Sequence, residues 1–116
     1  MEVMIEMNAT TRDMYAEVDT EMFSRALRRS RMSYQELADE ASLNLRRIAR
    51  AERRRRRGGV PETISKALIG QFATGAAKTT HELRGIAIEE ALGMSPGDLF
   101  VPVVVRGTRT TQRQTA

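Results

Sequence analysis

The sequence predicts a mostly α-helical domain of five or six short helices that ends in a short β-strand. Apolar residues make up 41% of the 116 residues but aromatic residues only 4%, a balance typical of small helices packed through Leu, Ile, Met and Ala. Apolar positions recur every three or four residues, the spacing of one helix face. Capping residues and glycines divide these stretches into short helices, and the length fits one domain with a modest core.

The first helix is predicted to begin at Asp19 or Thr20, both good N-cap residues, and to run through Arg31. Its buried face is predicted to be Phe23, Ala26 and Leu27, with Arg25, Arg28 and Arg29 facing outward. Residues 1–18 precede it as a partly ordered N-terminal extension, in which residues 11–18 are expected to form a preliminary helical turn.

A helix, a tight turn and another helix are predicted within residues 33–56. Ser33 and Glu36 have the spacing of a capping box, and Leu37, Ala38 and Ala41 form the buried stripe of the second helix. Ser42-Leu43 is predicted to be the turn, and Asn44 to cap a third helix that runs to about Arg56. Ile48 and Ala51 are predicted to face inward, and Gly58-Gly59 to end this helix.

An additional helix is predicted within residues 58–80, with Pro61 at its first position. Its apolar face would be Ile64, Ala67, Leu68 and Phe72. A capping box from Thr79 to Glu82 opens the last long helix, which Gly93 terminates, and the main domain is expected to span residues 19–100. Val101–Val105 is predicted to be a strand, which either folds back on its own domain or pairs across a two-fold axis. Residues 106–116 are expected to be a disordered basic tail.

Positive charge is concentrated in the middle of the chain. Residues 25–57 contain 12 Arg and four acidic residues, a net charge of +8, whereas residues 1–24 carry −5 and residues 58–116 carry +1, which sum to +4. Charge this concentrated is typical of a surface that binds a polyanion. Because no helix pairs these arginines with a wide apolar face, nucleic acid is favoured over a membrane surface.

Several other function classes are not expected. The chain has no Cys, which excludes thiolate chemistry and is compatible with the cytoplasm, and it has neither an apolar run long enough to span a membrane nor a basic signal-peptide start. His81 is the only histidine and Glu89-Glu90 are adjacent, so we expect no metal site, no cofactor and no enzymatic activity.

Two segments resemble the Cro/phage-repressor (XRE-like) family of helix-turn-helix regulators. The first runs from Leu27 to Arg53, through Tyr34-Gln35-Glu36-Leu37-Ala38 and Ala41-Ser42-Leu43-Asn44 to Ile48 and Glu52. The second runs from Ala91 to Phe100, where a helix closes at Leu-Gly and Ser-Pro follows. The resemblance implies a lambda-repressor-like fold. The chain departs from the family by Tyr34 in place of the usual Gln, Ser42 in place of the turn Gly, the Arg53–Arg57 run in place of a Gly, and the longer 58–80 connection.

The resemblance also implies which residues contact DNA. The base-reading residues would be Asn44, Leu45, Arg46 and Arg50, and the phosphate-binding residues Ser33, Tyr34, Gln35, Arg47, Arg53, Arg54, Arg55, Arg56 and Arg57. Elementary helix geometry agrees in part, because Arg46 and Arg50 are four residues apart and share a face. Arg in either position can make a bidentate contact to guanine, and Leu45 can touch a thymine methyl group.

The function implied is that of a sequence-specific, DNA-binding transcriptional repressor that acts by operator occupancy, specifically a phage or prophage immunity repressor or Cro-like regulator. A homodimer through Val101–Val105 or the C-terminal helices would place two recognition helices about 34 Å apart. An alternative is an antitoxin, whose acidic N-terminus or 58–80 helix would bind a basic toxin. A third alternative is a non-specific architectural protein.

Overall fold

The structure is a computed structural model that describes residues 15–53, except the side chain of Arg53, and residues 60–103. Its elements are, in order, β1 (Tyr15–Val18), α1 (Thr20–Ser30), α2 (Tyr34–Arg53), α3 (Lys66–Thr74), β2 (Thr79–His81), α4 (Glu82–Ala91) and β3 (Phe100–Val103). The mostly helical prediction is confirmed. The described ranges contain four helices instead of the five or six predicted, and a small antiparallel sheet accompanies them.

The sheet has the strand order β2-β1-β3, with β1 in the centre. Residues 11–18 were expected to form a helical turn, which is wrong for Tyr15–Val18: the segment alternates exposed and buried side chains and pairs on both sides. Ala16 lies opposite Thr80 on one side and Pro102 on the other. The strand predicted at Val101–Val105 is found at Phe100–Val103 and pairs within its own domain, while residues 104 and 105 lie outside the described residues.

Local capping signals place the starts of the first two helices correctly. The Asp19 carboxylate accepts the N–H of Met22 at 2.9 Å, and Arg31, at φ 61°, ends α1 in the left-handed conformation. Ser33 and Glu36 form the predicted capping box: the Glu36 carboxylate accepts the Ser33 N–H at 2.8 Å, and the Ser33 hydroxyl accepts the Glu36 N–H at 3.0 Å.

The starts of the last two helices differ from the prediction. The N-cap of α3 is Ser65, which accepts the N–H of Leu68 at 3.0 Å, so Pro61 precedes the helix; Ala67 is exposed and Ile69 is buried instead. The N-cap of α4 is His81, whose Nδ1 accepts the N–H of Leu83 at 3.1 Å. Thr79, the predicted cap, belongs to β2, because strand pairing with β1 takes up this stretch of backbone.

The three phenylalanines of the chain meet in one core beneath the sheet. Their ring centroids are 5.7 Å apart for Phe23 and Phe72, 6.3 Å for Phe23 and Phe100, and 5.4 Å for Phe72 and Phe100, all edge to face. The core thereby joins α1, α3 and β3. Of the helices that the structure describes, none has the length and apolarity needed to cross a membrane.

Gly85 lies where α4 packs directly against Phe100 of this core. A Cβ atom on Gly85 would lie 2.8 Å from the Cβ of Phe100. We therefore expect Gly85→Ala to lower the free energy of unfolding by about 1–3 kcal/mol through overpacking, despite the better helix propensity of Ala. Chemical denaturation measures this change. The matched control is Gly70→Ala, whose Cβ would lie 3.4 Å from the Tyr34 ring; an equal loss for both variants would contradict the close approach of α4 to Phe100.

Candidate nucleic-acid interface

The segment predicted to be two helices and a turn is one helix, α2, which continues without interruption through residues 42–44. The predicted helix-turn-helix break is therefore wrong. Its buried stripe, Leu37, Ala38, Ala41, Leu45 and Ala49, keeps a three- or four-residue spacing along the whole length. Because this stripe continues along one side, a single helix buries it against α3 and α4. Ile48 packs partly buried against the same core, but Ala51 is exposed, contrary to prediction.

Ser42 and Asn44, the predicted turn and cap residues, make their hydrogen bonds with other elements. The Ser42 hydroxyl donates to the carbonyl of Ile64 at 3.1 Å and accepts the Ile64 N–H at 3.0 Å. The Asn44 side-chain amide donates to the carbonyl of Ala87 in α4 at 3.2 Å. Both residues therefore fasten α2 to its neighbours, and the cap role of Asn44 is wrong. Half-buried against α4, Asn44 is also poorly placed to read a base.

Leu45 is excluded as a base-reading residue by its burial. Its side chain is 0% exposed and belongs to the hydrophobic core. The exposed leucine of this region is Leu43, which is 59% exposed. The predicted contact of Leu45 with a thymine methyl group is therefore wrong, because the register of one continuous helix turns Leu45 inward and Leu43 outward.

Arg46 and Arg50 lie on the exposed face of α2, one helical turn apart. Neither guanidinium forms an ion pair or hydrogen bond with another described residue. Arg47 is exposed too, but its guanidinium forms an ion pair with the carboxylate of Glu90 in α4. Arg53 is the last residue of α2, and Arg54, Arg55, Arg56 and Arg57 lie outside the described residues.

The predicted phosphate-binding residues at the start of α2 are far from these arginines. Ser33 is committed to the capping box, and the Gln35 amide donates to the Asp39 carboxylate at 2.8 Å. The Tyr34 ring packs beside Gly70 of α3. From Tyr34 to Arg50 the helix rises about 24 Å, so the structure does not gather the two groups into one compact surface.

The exposed face of α2 is divided by charge. Its N-terminal half carries Glu36, Asp39 and Glu40, and its C-terminal half carries Arg46, Arg47 and Arg50, with Leu43 between them; all seven residues are exposed. Of these residues, Glu36 in the first turn and Arg50 in the last turn complement the helix dipole. Sequence reasoning identified the arginines but not Leu43 or the acidic half. The unbroken spacing from Leu37 to Ala49 is the signal that could have revealed them.

Of the predicted DNA contacts, Arg46, Arg47 and Arg50 are exposed on the C-terminal half of α2, in the part that the structure describes, and Arg47 is paired with Glu90. No protein-family model, characterised protein or solved structure compared with the chain matches it.

Proposed function

We propose that the chain is a non-catalytic, cytoplasmic regulator that binds double-stranded DNA through the C-terminal half of the exposed face of α2. The observation that carries this proposal is the pair Arg46 and Arg50, exposed, one turn apart and without an ion-pair partner among the described residues. An exposed guanidinium can bind a phosphate or make a bidentate contact to guanine, worth about 1–3 kcal/mol of discrimination.

The proposed contact uses the end of one long helix in place of a separate recognition helix. The major groove of B-DNA admits an α-helix. Phosphates would be repelled by Glu36, Asp39 and Glu40, so DNA would lie across the half of the face that bears Arg46 and Arg50. The run Arg53–Arg57 follows directly in the sequence and adds to the local positive charge.

We further propose that DNA binding serves repression by operator occupancy, as in a phage or prophage immunity repressor. The support for this finer statement is the sequence resemblance of residues 27–53 and 91–100 to the Cro/phage-repressor family, although residues 42–44 continue α2 where the family has its turn. The antitoxin alternative predicts a second, unrelated small protein that co-purifies with the chain, whereas the repressor predicts a specific complex with DNA and no other protein.

The test begins with selection of bound sequences from random DNA, followed by fluorescence anisotropy with the selected and a scrambled duplex. Arg46→Ala and Arg50→Ala are each expected to weaken binding to the selected DNA about tenfold, and to reduce the preference for it if the side chain reads a base. Asp39→Asn with Glu40→Gln is expected to strengthen binding severalfold, because two charges that repel phosphate are removed.

The matched control is Arg25→Ala, which removes an exposed arginine from α1, where it pairs with Glu21 at 3.6 Å. Its effect on DNA binding is expected to be less than about twofold. An equal loss of DNA affinity for Arg25→Ala and Arg46→Ala would contradict the proposed site. It would indicate a non-specific effect of net charge, as expected for the architectural alternative.

A further inference from the structure

Charged residues on the exposed face of α2 lie at equal sequence distances on either side of Leu43, with opposite sign on the two sides. Three, four and seven residues before Leu43 are acidic residues; three, four and seven residues after it are arginines. The acidic positions are Glu40, Asp39 and Glu36, and the basic positions are Arg46, Arg47 and Arg50. All of these side chains are exposed on one helix, so the symmetry is a property of a continuous surface.

Helix geometry arranges these residues in three rows. At 100° per residue, Glu36, Leu43 and Arg50 follow the centre of the face. Asp39 and Arg46 lie along one flank. Glu40 and Arg47 lie along the other. Each row thus contains one acidic residue and one arginine on opposite sides of Leu43. On the centre line the two are equally far from Leu43, and on each flank their distances differ by one residue.

We propose that a second copy of this chain binds this face, with the two α2 helices antiparallel and related by a two-fold axis through Leu43. In that arrangement Asp39 of each copy faces Arg46 of the other, Glu40 faces Arg47, and Glu36 faces Arg50. Leu43 meets Leu43 of the second copy on the axis. A parallel arrangement would place acid against acid and arginine against arginine, so the charge pattern selects the antiparallel one.

Intramolecular contacts rank these pairs. Arg47 already pairs with Glu90, and the Oε1 atom of Glu36 accepts the Ser33 N–H. Asp39 accepts the Gln35 amide through Oδ1 only, so its Oδ2 remains for a second donor, and Arg46 has no partner among the described residues. The Asp39–Arg46 pair, formed twice, is therefore the main determinant of specificity.

This association does not depend on the DNA-binding proposal, but the two would compete. The second copy covers Arg46 and Arg50, the arginines assigned to DNA. The acidic half of the face also favours a second copy, since DNA would be repelled by it whereas a charge-inverted copy neutralises both halves. Among the seven residues of this face, Leu43 is the one apolar side chain. The association therefore rests on charge and is expected to weaken with salt.

The test is sedimentation equilibrium of the full chain without DNA, at low ionic strength, as a function of concentration. Asp39→Arg and Arg46→Asp are each expected to weaken self-association about tenfold or more, because like charges then meet twice across the two-fold axis. The double variant, and an equimolar mixture of the two single variants, are expected to recover association to within about threefold of the original.

Arg25→Asp, on α1, is the control and is expected to leave association unchanged. A chain that stays monomeric at millimolar concentration, or a double variant as weak as the single variants, would overturn the proposal. Failure of DNA binding is distinguished because sedimentation is measured without DNA, so its outcome does not depend on whether the chain binds DNA. Circular dichroism of each variant confirms that helix content is retained.

Discussion

Replacing Glu89 by Ala is expected to lower the free energy of unfolding by about 3–5 kcal/mol, since several hydrogen bonds to one buried charge are lost together. Glu89 is 1% exposed. Its Oε2 accepts the N–H groups of Leu99 at 2.8 Å and Phe100 at 2.7 Å, and both oxygens accept the N–H of Gly97 at 3.1 Å. Without it, the N–H groups of the buried residues Leu99 and Phe100 lose their acceptor.

The loss would spread because Glu89 connects two elements. It joins α4 to the backbone that leads into β3. In β3, Phe100 packs against the other two phenylalanines, and the strand itself pairs with the central strand β1. We expect lower melting temperatures and lower denaturant midpoints. Glu89→Gln keeps one acceptor oxygen but removes the charge, so its expected loss is smaller, about 1–3 kcal/mol.

The adjacent residue supplies the control. Glu90 is exposed and pairs with Arg47 across the surface, so Glu90→Gln is expected to cost less than about 1 kcal/mol. Similar losses for Glu89→Ala and Glu90→Gln would show that the Glu89 hydrogen bonds add little to stability.

Features of the fold that depend on nearby residues could be predicted from the sequence. The Asp19 cap and the Ser33–Glu36 capping box each use partners three residues apart, so the residue types alone identify them. The strand Tyr15–Val18 could not be identified in this way. Its partners are residues 79–81 and 100–103, and four residues without them carry no distinctive period.

The candidate site was also predicted only in part, because some of its features depend on nearby residues and others on distant ones. The exposure of Arg46 and Arg50 follows from their charge and spacing. The helix register does not follow, because the predicted turn at Ser42-Leu43 placed Leu45 on the DNA-contacting side, whereas the buried stripe runs through Ala41 and Leu45. Ser42 and Asn44 suggest a turn by residue type, but their hydrogen-bond partners lie 22 and 43 residues away along the chain.

Leu43→Pro is the substitution that discriminates most strongly between one helix and two. Residue 43 lies in the middle of α2, so proline there removes the hydrogen bond from its N–H and places the ring against the carbonyl of Asp39. The expected loss in the free energy of unfolding is about 3 kcal/mol or more. If Ser42-Leu43 were the tight turn of a helix-turn-helix, proline would interrupt no helical hydrogen bond and would cost much less.

Leu43→Ala is the matched control, because the side chain of Leu43 is 59% exposed and its truncation leaves the core intact. We expect this variant to unfold within about 0.5 kcal/mol of the original, aided by the helix propensity of Ala. The comparison is made by urea denaturation followed by circular dichroism. Equal stability of the two variants would contradict a continuous α2 and restore the predicted turn, with a separate recognition helix after it.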